Sequence, residues 1–376
     1  MLTDIYYPHI NGVTNHIWLL GKALKQLGHD VSVITFGDSQ PGDAEEGVLR
    51  NPAVSLGSSG YYLGLRYTKA SIDAMSQSDL IHLHHPFLSG RLATAALADI
   101  KKPLVFTCHT RYDLYAKRFL SFIPETLLDN VVQTQIRGLS DHCDIVIAPN
   151  CSTRKRLRAW GVKSEIAVIP NAIDTQVYKG HGSSNVRASL GIPRDSLLVI
   201  YCGRLSSEKS VETLLRAMEL VVSQMPAAYL IIVGGGPEEN KLQQRWESRP
   251  WTRFIGEISY NAVPDYLAAS DLYVSASLTE VNSLAILEAL ASSLPVVLSD
   301  SSGNSDIVTN GIEGLLVSAS TPVSFAEAIV DILSNNEKRS LMSEMANETS
   351  EAFDIRDIAM NVVALYKGMV SQQVPS

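Results

Sequence analysis

The stretch TEVNSLAILEALASSLPVV (279–297) decides the fold. The run before it, DLYVSAS (271–277), alternates apolar and small polar residues and reads as a buried strand. Leu284, Leu287 and Leu290 then recur at helical spacing, with Asn282 or Ser283 as the N-cap. Glu280 is predicted on the strand-to-helix turn and Glu288 about a turn and a half into the helix. In an open α/β sheet such a turn lies at the carboxyl ends of the strands, where ligands bind. A helix start also offers unpaired N–H groups and the positive end of a dipole, a seat for phosphate. Two carboxylates beside a phosphate seat fit a ligand both anionic and rich in hydroxyls, such as a sugar nucleotide. Taken alone, the stretch fits an ordinary amphipathic helix with two surface glutamates equally well.

The same strand–turn–helix unit recurs on both sides. After it come PVVLSD (295–300), GLLVS (314–318) and helices at 322–334 and 337–351. Before it come SLLVIYCG (196–203), a helix near 208–224, AYLIIVGGG (228–236), a helix to about 248, and RFIGEI (253–258). Segment 171–193 has little apolar periodicity and reads as an interdomain linker. On its far side, LIHLH (80–84), PLVFTCH (103–109), DIVIAPN (144–150) and IAVIP (166–170) are short buried strands. Helices are expected near 90–99, 121–140 and 152–160. At the start of the chain, residues 2–7 read as the end of a strand and PHINGV (8–13) as a turn. Val13, Ile17, Leu20, Leu24 and Leu27 mark one face of a helix stopped by Gly28, before the strand VSVITF (31–36). Residues 37–65 read as an irregular loop. The last helix, about 355–371, carries Ile355, Ile358, Val362, Leu365 and Met369. The pattern is α/β, two doubly wound domains in one chain of 376 residues.

Composition narrows the function. The chain is 45% hydrophobic and 19% charged, with mean hydropathy +0.07. No apolar run approaches the ~18 residues of a membrane span, and MLTDIYYPHING has no signal-peptide pattern. The four cysteines (Cys108, Cys143, Cys151, Cys202) form no CxxC pair, which argues against disulfides and zinc and fits a reducing cytoplasm. Net charge is −8, and residues 1–174 are nearly neutral, with 17 basic against 16 acidic side chains. The acidity lies in the C-terminal part and argues against nucleic-acid binding.

Several residues carry candidate chemistry. His109 sits at a strand's carboxyl end, placed to hydrogen-bond a substrate; the alternative is a structural histidine. His82, His84 and His85 form HLHH, whose spacing matches no helix-based metal pair, so packing is the better reading. Arg204 and Lys209, after the strand 196–203, suit a diphosphate, Arg as a fork and Lys as a point charge; they also fit plain salt bridges. GGGP (234–237) allows close approach but is a common turn. Asn11-Gly12 is a weak phosphate fingerprint. Arg154, Lys155, Arg156 and Arg158 form a basic run on one helix, either a solvated face or a contact for an anionic membrane. Lys117 and Arg118, beside Phe119, Leu120, Phe122 and Ile123, have the same flavour.

Taken in order, the turn at Gly12, HTRYD (109–113), PNAID (170–174), GRLSSEK (203–209), the Glu280–Glu288 pair and LPVVLSDSSGNSDIV (294–308) resemble glycosyltransferase family 4 over nearly the whole chain. The resemblance implies a B-type (GT-B) fold, two Rossmann-like domains facing across a cleft. Residues 1–174 would bind the acceptor and 175–354 the nucleotide sugar; 355–376 would return to the first domain. It implies configuration-retaining transfer without metal or other cofactor. Arg204 and Lys209 would bind the donor diphosphate, with Asn282, Ser283 and Leu284 at the phosphate. Glu280 would meet the transferred sugar, Glu288 the ribose, and His109 the reaction site. Gly12 would let the backbone approach the donor. Asn11, Ala172, Ser283 and Ser293 stand where the family commonly has glycine, and Asp306 where it has glutamate. PLVFTCHTRYDLY is similar to the subgroup that glucosylates diacylglycerol, implying UDP-glucose as donor, a membrane lipid as acceptor and a cytoplasmic, peripheral position on the inner face of the cell membrane. The runner-up is transfer to surface polysaccharide or lipopolysaccharide; a non-catalytic sugar-nucleotide binder is the reading from another class.

Overall fold

The structure is a computed structural model that describes residues 1–55, 62–96, 102–114, 124–180 and 184–372. The chain divides into two compact units, Met1–Ala172 with Ile355–Ser376, and Ile173–Asp354.

The first unit is a parallel sheet wrapped by helices. Its labelled elements are α1 (Gly12–Gln26), β1 (Val33–Phe36), β2 (Val48–Asn51), α2 (Lys69–Gln77), β3 (Ile81–Leu83), α3 (Leu88–Ala96), β4 (Leu104–Thr107), α4 (Glu125–Ser140), β5 (Ile145–Ala148), α5 (Cys151–Ala159) and β6 (Glu165–Val168). Strands β3, β4, β5 and β6 pair in that order, and β1 pairs with β2. Leu2 joins the two sets through parallel bridges to Ile34 and Leu83. The expected strand over 2–7 is thus a single bridging residue. Its neighbours turn to the next loop instead: Thr3 donates to the Ile5 carbonyl at 2.8 Å, and Asp4 accepts from the Ser89 N–H at 2.6 Å. Residues 37–65, expected to be irregular, contain β2 and a short helix, Asp43–Glu46. Buried Asn51 ends β2 and donates to the Thr35 carbonyl at 2.9 Å. Two flanking buried residues around a half-buried pair do not alternate, so sequence periodicity cannot flag this strand. The 117–123 stretch lies outside the described residues.

The second unit is a six-stranded parallel sheet. In chain order it comprises β7 (Leu197–Cys202), α6 (Val211–Gln224), β8 (Ala228–Val233), α7 (Glu239–Trp246), β9 (Thr252–Gly256), α8 (Val263–Ala268), β10 (Leu272–Ser275), α9 (Leu284–Ala291), β11 (Val296–Ser299), β12 (Gly314–Val317), α10 (Pro322–Leu333) and α11 (Asn336–Glu351). Strand order is β9–β8–β7–β10–β11–β12. The order reverses between β7 and β10, so the crevice for a ligand opens beyond the ends of those two strands. One apolar layer, built on Leu214, Met218, Phe325 and Ile329, covers one face of the sheet. The other, built on Ile286, Leu287 and Leu290, covers the opposite face. Helix α9 is buried nearly all round, which its run of leucines and alanines permits.

From Ile173 on, the described residues of the segment expected as a linker (171–193) are instead part of the second unit. Ile173 and Tyr178 join its core, a 3-10 turn spans Thr175–Tyr178, and a helix spans Ser184–Ser189. A 3-10 turn is too short to show apolar periodicity. The last helix, α12 (Ile355–Gln372), lies in the first unit, where Ile355, Ile358, Ala359 and Val362 pack on Leu19, Leu20, Ala23 and Leu24 of α1.

Candidate functional site

The turns after β7 and β10 carry the predicted donor residues. Beyond β7 the chain makes the Gly203-Arg204 turn, pinned by the Tyr201 hydroxyl, which donates to the Arg204 carbonyl at 2.9 Å. GGGP packs against this turn. A Cβ on Gly234 would sit 2.1 Å from the Gly203 carbonyl oxygen, and one on Gly236 would sit 2.4 Å from that of Leu205. The glycines therefore let two backbones meet rather than cradling a ligand. Arg204 is exposed, and no carboxylate among the described residues pairs with it. Lys209 closes the 3-10 turn Ser207–Lys209 and forms an ion pair with Glu280, 71 residues away. A basic and an acidic residue from two separate turns thus meet at the strand-order reversal.

Glu280 is held from behind. The turn at Gly303 lies so close that a Cβ there would be 2.0 Å from the Glu280 carbonyl oxygen. Asn282 and Leu284 are buried and Ser283 is half-buried. Ser283 is the N-cap of α9, yet its side chain makes no capping hydrogen bond. The Ser283 side chain therefore does not compete for the first N–H groups of this helix, which point where an anion would lie.

Glu288, one turn further, is 5% exposed. Burial pushes its carboxyl up to about 7, against the opposing pull of hydrogen bonds to Tyr178 and Tyr260. The two hydroxyls lie 3.1 Å apart. Neither tyrosine is flagged by the sequence, because Tyr178 lies in the packed 3-10 turn and Tyr260 in another, Tyr260–Ala262.

In the first unit His109 follows β4 and is buried. Its Nε2 shares a hydrogen bond of 2.9 Å with Nδ1 of His84, and the His16 ring centre lies 4.8 Å from its own. Burial depresses all three imidazoles, His16 to about 4 and the other two well below the ordinary value, so they are neutral at pH 7. His82 packs as expected, bonded at 2.6 Å to both Tyr366 and Thr107. His16 is the histidine that sequence reasoning missed: it lies beside Ile17 on an apolar helix face, where spacing cannot tell a ligand-facing ring from a packed one. Gly12 opens α1, and a Cβ there would meet nothing within 4 Å.

The basic run is less uniform than its sequence. Arg154 and Lys155 are exposed on α5, whereas Arg156 is half-buried. Arg158 donates to the carbonyls of Val162 and Ser164, both at 2.7 Å, and so braces the turn after the helix.

Comparison with known proteins places this arrangement. Residues 10–177 match the profile described as Glycosyltransferase Family 4, and residues 183–349 match Glycosyl transferases group 1. The chain is 28% identical to an alpha-monoglucosyldiacylglycerol synthase of Streptococcus pneumoniae, over 84% of this chain and 74% of that protein. It is 25% identical to the protein of the same name from Acholeplasma laidlawii, over 99% and 97%. Among solved structures it is similar to Anabaena HepE in complex with UDP and glucose, with TM-score 0.77 at 20% identity and coverage of 97% and 98%. Sucrose-phosphate synthase from Thermosynechococcus elongatus gives TM-score 0.79 at 21% identity, over 99% and 96%. These structures share the two-domain α/β fold with parallel sheets.

Proposed function

The chain belongs to glycosyltransferase family 4 and is a hexosyltransferase; from that premise we propose that it moves a glucosyl group from UDP-glucose to a membrane lipid such as 1,2-diacylglycerol, with retention of configuration. The observation that carries the donor half is the meeting of Lys209, Glu280 and the open start of α9 at the strand-order reversal, with exposed Arg204 beside them on the same turn as Lys209. On this reading the diphosphate lies across Arg204, Lys209 and the N–H groups of Ser283 and Leu284. Their positive charge stabilises the leaving UDP, so the transfer needs no metal. Glu280 accepts hydrogen bonds from the transferred sugar and Glu288 from the ribose. His109, neutral, hydrogen-bonds at the reaction site. UDP as carrier is supported by the HepE complex, which holds UDP and glucose.

The lipid half is supported by the two diacylglycerol glucosyl synthases among the relatives. No helix among the described residues is long and apolar enough to cross a membrane. Attachment would be peripheral, from the cytoplasmic side. Helix α4 exposes Leu127 and Val131 one turn apart, and α5 exposes Arg154 and Lys155, which supports contact with an anionic surface.

The test is transfer from UDP-[14C]glucose to diacylglycerol in vesicles containing anionic lipid. The expected product is an α-glucosyl lipid, formed faster as the anionic fraction rises. Glucosylation of a soluble saccharide with no lipid product would overturn the acceptor assignment, and UDP-glucose binding without any turnover would overturn the enzymatic one.

A further inference from the structure

Three histidines of the first unit converge although they come from three separate elements. His16 lies on α1, His84 follows β3 and His109 follows β4. Each offers a ring nitrogen, and the three nitrogens lie within 4.8 Å of one another. One of them is incompletely used. His84 is fully buried, and its Nε2 meets no hydrogen-bonding group among the described residues. A buried nitrogen left unpaired costs about 1–3 kcal/mol, so such an atom points to a ligand.

We propose that His16, His84 and His109 bind one divalent transition-metal ion, Zn2+ foremost, and that this ion inhibits the enzyme by occupying the ring nitrogens of its reaction site. Three protein nitrogens with a fourth position left open form a familiar zinc pattern. The absence of a carboxylate from the trio disfavours Mg2+ and Ca2+, which take oxygen ligands. Imidazole ligates in its unprotonated form. Tetrahedral ligation at about 2.1 Å sets nitrogens about 3.4 Å apart. The three nitrogens lie within 4.8 Å of one another and close to that separation by rotation of side chains, with His84 ligating through its unpartnered Nε2. His16 and His109 are each 7% exposed while His84 is not exposed at all, so the ion enters and the fourth position opens on the side of the first two.

The binding claim stands apart from glycosyl transfer, and its test does not need turnover. Chelator-treated full-length protein is titrated with ZnCl2 by calorimetry, with MgCl2 as control, and Co2+ loading is followed by its visible spectrum. The expected result is one Zn2+ site, no Mg2+ heat, and a tetrahedral Co2+ band that Zn2+ removes. His84→Asn and His16→Asn should each weaken Zn2+ by more than the 10- to 100-fold that follows loss of an outer partner of a metal ligand. Circular dichroism checks that the variants fold, and the His16 variant serves if the fully buried His84 variant does not. No Zn2+ binding by the parent chain, or binding unchanged in a folded variant, overturns the proposal. Where transfer is measurable, micromolar Zn2+ should suppress it and EDTA restore it; full activity of the Zn2+-loaded protein overturns the inhibitory role alone.

Discussion

The starts of α1 and α9 each follow a strand beside the order reversal of their own sheet, Leu2 in one and β10 in the other, and are finished differently. At α1 the Asn11 side chain accepts from the N–H groups of Val13 and Thr14 at 2.9 and 3.0 Å, and Thr14 Oγ1 accepts from Asn11 N at 2.8 Å. The box is closed by the protein itself. At α9 the cap residue is Ser283, and its side chain closes nothing. Arg204 and Lys209 are on the turn alongside the open start, and no basic side chain lies in the first turn of the closed one. A helix start completed from within supports the fold; one left open supports a ligand. The resemblance to the family marked Asn11 as a departure from glycine. The capping box gives that departure a purpose.

Removing the charge beside the open start should have the largest effect. Arg204→Ala is expected to lower kcat/KM by about 100-fold or more, the scale of one lost charge-stabilising donor, while the melting temperature stays put because Arg204 is exposed. Parental rates would remove the diphosphate from this turn. Ser283→Asp converts the open start into a closed one. It should lower UDP affinity about tenfold or more by calorimetry and raise stability by about 1 kcal/mol. Tighter UDP binding would mean that the N–H groups do not receive the phosphate.

Next in size is a pH effect. Glu288 titrates near 7 because it is buried, and a carboxylate accepts from ribose better than a neutral acid does. Donor KM should therefore fall as pH rises through about 7, by up to about tenfold per unit below it, and Glu288→Gln should flatten the profile. Stability runs the other way. A carboxyl whose pKa is raised by folding stabilises the fold below the unfolded value of 4.5 and loses that contribution as pH rises to about 7. A KM that does not change between pH 6 and 8 would detach Glu288 from the ribose.

The closed start offers the matching control. Asn11→Ala should cost about 1 kcal/mol in denaturant unfolding and leave UDP affinity within twofold; a large loss of UDP binding would erase the contrast. The smallest effect is at the far ends of the same helices. Just past α1 the chain takes a left-handed turn at Gly28, φ +85°, but past α9 it does so at Ser293, φ +57°. Ser293→Gly removes the Cβ strain and should stabilise by about 0.5–1 kcal/mol. A lower midpoint would show that Ser293 contributes something beyond the turn.

Much of the second sheet was legible because each strand is a short apolar run ending at a turn residue and each helix has a regular apolar face. The run LLVIYC with Gly203 behind it, and α6 with Val211, Leu214, Leu215 and Met218 on one side, are of this kind. The first unit was less legible. Leu2 acts as a strand through one residue on either side, and β2 is recognised by what Asn51 bonds to, not by its pattern. The tyrosines around Glu288 come from two 3-10 turns 82 residues apart, and only tertiary packing brings them together. His16 shows the same limit, since its neighbours on α1 are apolar and its partners follow other strands. Motif spacing locates single turns; it does not reveal which distant side chain has been folded against them.

The ion pair of Lys209 with Glu280 bears on how the enzyme lets go of its product. Both side chains are largely withdrawn from water, 23% and 12% exposed, so neither is comfortable alone. On the donor reading proposed above, an intact nucleotide sugar would separate them evenly, with phosphate replacing Glu280 beside Lys209 and sugar hydroxyls replacing Lys209 beside Glu280. The spent nucleotide would then satisfy only the lysine and leave the glutamate stranded, favouring its departure and the re-forming of the pair. UDP should accordingly bind more weakly than UDP-glucose to the parent chain, and Glu280→Gln, with no charge to strand, should narrow that difference; an unchanged difference in the variant would mean that the pair has no part in turnover.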